Sequence, residues 1–126
     1  MKRIIPMLIS ALLLTACAPS GRSFGYRRIS AEEAAEMMKT ETGYVILDVR
    51  RHDEFAEGHI PGAVNIPNEE IGEGELPALP DKDQLILVYC RSGRRSKEAA
   101  EKLVKLGYTC IVEFGGILDW KGEIEK

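Results

Sequence analysis

The sequence predicts an α/β protein with a central parallel sheet and helices on both of its faces. Two apolar runs, residues 44–47 and 85–89, have the length and β-branched content of buried strands. Amphipathic helical patterns alternate with these runs, most clearly over residues 96–107, where apolar residues recur at spacings of three and four. Alternating strands and helices favour a parallel sheet with right-handed crossovers.

The N-terminus predicts export and a lipid anchor. Met1-Lys2-Arg3 is positively charged, and the apolar segment after it is far shorter than the roughly 20 residues of a membrane-spanning helix. Leu14-Thr15-Ala16-Cys17 resembles the lipobox of bacterial lipoproteins, which implies removal of residues 1–16 and acylation of Cys17. Residues 17–25 then form a short lipid-anchored tether. An ordinary secretory signal with an incidental cysteine is the alternative, and it also predicts export.

The rest of the chain, residues 26–126, has the size of one domain. Loss of Lys2 and Arg3 with the signal changes the formal net charge from −3 to −5, which argues against nucleic acid as a partner. With Cys17 acylated, only Cys90 and Cys110 remain, too few for a disulfide framework. Stability must therefore come from packing. We also expect the protein to be a monomer.

The first half of this domain shows an edge strand, a helix and a buried strand. Residues 26–29 predict the edge strand, and Ser30 with Glu33 forms a capping-box pattern that begins the helix. Gly43 lies just past the end of that helix. The buried strand of residues 44–47 then brings Asp48 and Arg50 to its carboxyl end.

The second half continues the alternation. Residues 51–58 predict a helical turn, residues 63–66 a short strand, and residues 67–84, rich in proline and glycine, an irregular stretch with a turn near Ile71. The amphipathic helix ends at Gly107, with outward pairs of Glu98 with Lys102 and of Glu101 with Lys105. Residues 109–113 predict the last strand, and Gly115-Gly116 turns toward a helix that carries Trp120.

Cys90 is the strongest candidate for chemistry, because it ends a buried strand and precedes a cationic, glycine-bearing loop. Ligands of open α/β sheets bind at this end of the strands. Backbone N–H groups that turn into a helix N-terminus favour a thiolate, as do Arg91, Arg94 and Arg95. A buried structural cysteine is the simpler alternative, but such a site has no use for three arginines within five residues of the sulfur.

Four motifs in order resemble the rhodanese-like sulfurtransferases: Asp48-Val49-Arg50, Gly58-His59-Ile60-Pro61-Gly62-Ala63, the loop from Cys90 to Arg95, and Gly115-Gly116 with Trp120 beyond. The resemblance implies a five-stranded rhodanese fold and a cysteine that carries sulfane sulfur as a persulfide. It assigns catalysis to Cys90 and a bracing role to Asp48 and Arg50. The residues implied in substrate binding are Arg91, Ser92, Gly93, Arg94 and Arg95.

The expected reaction takes sulfur from a small anion such as thiosulfate and gives it to cyanide or a thiol. Sulfite is a stable leaving group, so a thiolate present at neutral pH needs no general base and no second catalytic carboxylate. We expect no metal and no other cofactor. His52 and His59 are more typical of hydrogen-bonded structural residues than of catalysts.

Two other functions stay open at this stage. Cysteine-dependent phosphatases and arsenate reductases also cradle a thiolate, but their loop closes with an arginine at the position that Ser96 occupies here. The loop from Cys90 to Arg95 is therefore one residue too short for a phosphate ester. A non-catalytic rhodanese-like binding module is the second possibility, and such modules often lose the cysteine that this chain keeps.

Overall fold

The computed structural model describes residues 25–72 and 74–126, and it is built around one five-stranded sheet. All neighbouring strands are parallel, which confirms the predicted fold class. In space the strands follow the order β1, β5, β4, β2, β3. Their bounds are Arg27–Arg28 for β1, Val45–Asp48 for β2, Val64–Asn65 for β3, Ile86–Cys90 for β4 and Ile111–Gly116 for β5.

The described residues also form three α-helices and two 3₁₀ turns, of which the second turn follows the last strand. The helices are α1 (Ala31–Thr40), α2 (His52–Glu57) and α3 (Arg94–Lys105), and the turns are Asn68–Glu70 and Ile117–Asp119. Helix α1 begins at the predicted capping box: the Glu33 N–H donates to Ser30 Oγ at 3.0 Å, and the Ser30 N–H donates to Glu33 Oε1 at 2.9 Å.

Two apolar cores cover the two faces of the sheet. On one face, Ala99, Ala100 and Leu103 of α3 pack against the side chains of β2 and β4 that point the same way. On the other face, Ala31 and Ala34 of α1 pack with the alternate residues of the same strands. This arrangement buries β4 completely, so that its carboxyl end is a rigid support for the loop that follows Cys90.

Two local predictions were wrong. No helix carries Trp120: β5 extends to Gly116, and Trp120 follows the second 3₁₀ turn and packs on Phe114 with ring centroids 6.1 Å apart. The helical pair of Glu98 with Lys102 is replaced by tertiary contacts, because both side chains bind Asn68.

The predicted signal peptide, the acylated Cys17 and nearly all of the tether lie outside the described residues. Within residues 25–72 and 74–126, no helix has the length and apolar character needed to cross a membrane.

Candidate active site

Cys90 lies at the carboxyl end of β4, directly before a tight loop that leads into α3. Its side chain is buried, and the Gly93 N–H donates to Sγ at 3.0 Å. Gly93 has a φ of 116°, a conformation that L side chains rarely adopt, and α3 begins at the next residue. The backbone therefore presents a donor and a helix N-terminus to the sulfur, and both favour a negatively charged form of Cys90.

The end of β5 holds this loop from the side. A Cβ added to Gly116 would lie 1.9 Å from Arg91 O, so only glycine allows the two backbones to approach this closely. The Leu118 N–H donates to Arg91 O at 3.2 Å. Pairing between β4 and β5 is irregular here, with Cys90 opposite Gly116. The Gly115-Gly116 motif thus fixes the position of the loop.

On its solvent side the loop borders a cleft of about 560 Å³ in which arginines outnumber acidic residues. Ser92 and two carboxylates, Glu54 and Glu69, are in its wall. The predicted loop arginines all reach this cleft, and a fourth arginine comes from the start of α2. The four are Arg51, Arg91, Arg94 and Arg95. The wall is a local positive region on a chain of formal net charge −3.

Arg95 is fixed in this wall by a bidentate ion pair with Glu54. Its Nη1 and Nη2 donate to Glu54 Oε1 and Oε2 at 2.6 and 3.1 Å. The Arg95 guanidinium lowers the pKa of Glu54 from 4.5 to about 2, with help from Arg51. The hydrogen bonds to Glu54, together with the negative charge of that carboxylate, raise the pKa of Arg95. Helix α2 is thereby connected to the start of α3, directly after the Cys90 loop. The local sequence gave no sign of this pairing across 41 positions.

On the buried side of the sulfur lies a further carboxylate, Glu113, which the sequence prediction missed. Ser96 Oγ lies 3.4 Å from Cys90 Sγ and donates to Glu113 Oε2 at 2.5 Å. Both Ser96 and Glu113 are 0 % exposed. The available signal was the charge of Glu113 within the apolar run of residues 110–114, because a buried charge is the informative exception in a strand.

Asp48 and Arg50 are interior residues and do not line the cleft. Arg50 Nη2 donates to Asp48 Oδ2 and to the Gly58 carbonyl, each at 2.7 Å. Its guanidinium lies 5.7 Å from the ring centroid of Tyr89, the residue before Cys90. Burial, with the nearby Asp48 carboxylate, raises the pKa of Tyr89. Their contacts brace the end of β4 and the turn at Gly58, which is consistent with the role that the resemblance implies.

Cys90 is a free thiol, and Cys110 lies at the opposite end of the sheet, directly before β5. His59 stacks on Phe55 with ring centroids 3.7 Å apart, while His52 contacts Asn65 and Glu70. Among the described residues, no three His, Cys, Asp or Glu side chains form a group that could hold a metal ion.

Comparison with known proteins places this arrangement in a family. The rhodanese-like domain matches residues 30–123, which include the whole sheet from β2 onward and the loop after Cys90. The chain belongs to the rhodanese-like domain family. The family and the retained cysteine loop make it a rhodanese-type sulfurtransferase.

Two similar proteins of this rhodanese family are named thiosulfate sulfurtransferases. PspE of Escherichia coli is 41% identical over 73 residues, which cover 58% of this chain and 70% of PspE. GlpE of Coxiella burnetii is 36% identical over 97 residues, or 76% of this chain and 88% of GlpE. A solved structure of a rhodanese with anions from E. coli is 37% identical in sequence and has a TM-score of 0.61. The match covers 66% of this chain and 98% of the rhodanese chain.

Proposed function

We propose that Cys90 takes a sulfane sulfur from an anionic donor such as thiosulfate and passes it, as a persulfide, to cyanide or a thiol. The observation that carries the proposal is the position of Cys90 Sγ. It accepts a hydrogen bond from the Gly93 N–H at the start of α3 and lies behind an arginine-lined cleft. The names of PspE and GlpE support thiosulfate as the donor.

In the first step the thiolate attacks the outer sulfur of thiosulfate. The bond between the two sulfur atoms of thiosulfate breaks, and its electron pair leaves with sulfite. A new disulfide bond joins the outer sulfur to Sγ, so the charge of −3 on thiolate and thiosulfate is conserved. Arg91 and Arg95 attract the sulfonate end of the donor, because guanidinium groups recognise oxyanions.

In the second step the acceptor attacks the outer sulfur of the persulfide. The electron pair of the disulfide bond returns to Sγ, which regenerates the thiolate, and cyanide leaves as thiocyanate. The Gly93 N–H and the N-terminus of α3 stabilise the negative sulfur at both stages.

A phosphatase reaction is disfavoured by the side chain at position 96. An arginine that closes a phosphate loop must reach the oxygens of the substrate. Here the position belongs to Ser96, which is 0 % exposed and donates its proton inward to Glu113. A non-catalytic binding module is disfavoured by the free thiol and by the intact loop around it.

A turnover assay tests the proposal. With thiosulfate and cyanide, the wild-type protein should form thiocyanate, and Cys90→Ser should form none while keeping the wild-type circular dichroism spectrum. Neither protein should hydrolyse para-nitrophenyl phosphate. Thiocyanate formation that survives in Cys90→Ser, or phosphatase activity without sulfur transfer, would contradict the assignment.

We further propose that the protein is exported and anchored to a bacterial membrane through acylated Cys17. The support is the lipobox-like segment Leu14-Thr15-Ala16-Cys17 after a short apolar run. The native protein should sediment with membranes and be released by detergent, whereas Cys17→Ser should not be lipidated. A chain that keeps Met1 in the cytoplasm of its host would refute the anchor and leave sulfur transfer untouched.

A further inference from the structure

Glu113 is a buried carboxylate with no part in the sulfur-transfer steps described so far. It lies in β5, is 0 % exposed, and its Oε2 accepts hydrogen bonds from Ser96 Oγ at 2.5 Å and from the Gly115 N–H at 2.7 Å. Oε1 accepts no hydrogen bond within the described part of the chain. Arg28 Nε lies 3.1 Å from Oε1, without hydrogen-bond geometry, so the contact is an ion pair only.

This burial is energetically unfavourable for a purely structural side chain. Removing an ionised carboxylate from water costs several kcal/mol, which an ion pair and hydrogen bonds offset only in part. The partner cation compensates this cost only in part, because the Arg28 side chain is 59% exposed and solvent weakens its charge. A buried titratable group beside a nucleophile is a candidate for proton chemistry.

The geometry joins Glu113 to the sulfur through one hydroxyl. Cys90 Sγ donates to Ser96 Oγ over 3.4 Å, and Ser96 Oγ donates to Glu113 Oε2 over 2.5 Å. The other oxygens near Ser96 Oγ are the Gly93 and Gly115 carbonyls, at 3.1 and 3.2 Å, which have no proton to give. The chain of donors therefore runs from the thiol to the carboxylate.

We propose that Cys90, Ser96 and Glu113 share one proton, which is on the sulfur in the free thiol and on Glu113 while Cys90 is a thiolate or a persulfide. This inference deepens the proposed sulfur transfer and, for the persulfide stage, rests on it. Glu113 acts through Ser96 and is a positioning residue.

Proton transfer along this chain leaves the charge of the buried site unchanged. As the thiol proton moves to Ser96 Oγ, the Ser96 proton moves to Glu113 Oε2, so the trio keeps one shared proton and a charge of −1. The Ser96 hydroxyl then donates to the negative sulfur instead. When the sulfane sulfur leaves, both protons move back and the free thiol is restored.

The charges around Cys90, Ser96 and Glu113 determine whether a substitution raises or lowers the pH at which the Cys90 thiolate forms. Glu113 faces Arg28 and Tyr26 of the β1 region, and Cys90 faces Arg95. A carboxylate near the sulfur disfavours the thiolate, so its removal makes the thiolate form at lower pH. Loss of the Arg28 charge leaves the negative charge of Glu113 without its ion-pair partner. The thiolate should then form at higher pH.

The experiment measures the rate at which iodoacetamide alkylates Cys90 between pH 5 and 10, with no sulfur donor or acceptor present. Relative to wild type, the midpoint of the rate profile should fall by about one pH unit in Glu113→Gln and rise in Arg28→Gln, as expected for nearby charges. Glu101→Gln removes an exposed carboxylate from α3 and should leave the midpoint unchanged.

A further variant separates the shared proton from repulsion through space. In a Ser96→Ala background, Glu113→Gln should shift the midpoint by less than half of the shift that it causes when Ser96 is present. A shift that persists in full, or shifts of the same sign in Glu113→Gln and Arg28→Gln, would overturn the proposal. If Glu113→Gln does not fold, an unchanged midpoint in Arg28→Gln would also overturn the proposal. These readouts do not use sulfur transfer, so an inactive wild type would refute the proposed function separately.

Discussion

Arg95 and Ser96 are neighbours in the first turn of α3, yet their side chains enter opposite environments. Arg95 points to the cleft and pairs with Glu54, and its side chain is 22% exposed. Ser96 points to the interior, between Cys90 and the fully buried Glu113. The sulfur therefore has a cationic outer side that can meet an anionic donor and a closed inner side that can hold a proton.

The two sides differ in how solvent acts on them. Charges that line an open cleft are screened by salt, so the contribution of the outer side should weaken as ionic strength rises. The inner hydrogen bonds are shielded from water and keep their strength. Substitutions can therefore be chosen to disturb both sides at once, or the outer side alone.

The largest effect is expected from Gly116→Ala, which disturbs both sides. Its Cβ would lie 1.9 Å from Arg91 O, so the loop must move away from β5. A displacement of this kind reduces catalysis by about 100-fold, and the thiocyanate assay would measure it. Gly25→Ala is the control, because nothing lies within 4 Å of the added Cβ. Wild-type rates in Gly116→Ala would show that the close approach is not needed.

A smaller effect is expected when the outer side alone is changed. Arg91→Ala or Arg95→Ala should lower kcat/KM for thiosulfate, with a loss of transition-state stabilisation of about 1.5 to 3 kcal/mol for each lost charge-assisted contact. Lys97→Ala removes the same charge from an exposed position on α3 and serves as the control. Equal kinetics in both arginine variants and the control would show that backbone groups alone bind the donor.

The smallest effect concerns stability and follows from Glu54. Its pKa is lowered from 4.5 to about 2 by Arg95, so the ion pair stabilises the fold above pH 4.5, and this stabilisation is lost as the pH falls toward 2. Glu54→Gln should cost about 1 to 2 kcal/mol at pH 7 for a partly buried pair. Urea unfolding of both proteins should show the difference shrinking between pH 4.5 and 3. A constant difference would contradict the assignment of the pKa shift to this pair.

The sequence predicted the outer side better than the inner side, for a physical reason. Strand β4, helix α3 and the loop between them are local in the chain, so periodicity, glycine and charge identify Cys90 and its arginines. The contacts of Glu54 with Arg95 and of Ser96 with Glu113 join residues 41 and 17 positions apart. Such pairs depend on sheet order and register, which local patterns do not encode.

The same distinction explains the interpretation of Asp48 and Arg50. Their position at the carboxyl end of β2 was correct, because a buried strand was evident from its composition. Their contacts could not be predicted, since only the packed structure shows Arg50 turned back to Asp48 and to the Gly58 carbonyl. Placement along a strand can be predicted locally, whereas the partner of a side chain at its end requires the assembled sheet.

Mass spectrometry of the protein after treatment with thiosulfate tests the central claim most directly. Wild type should gain the mass of one sulfur atom, peptide mapping should place that atom on Cys90, and cyanide should remove it with the formation of thiocyanate. Cys90→Ser should gain nothing. Sulfur bound at another residue, with Cys90 unmodified, would contradict the claim that this loop is the site of sulfur transfer.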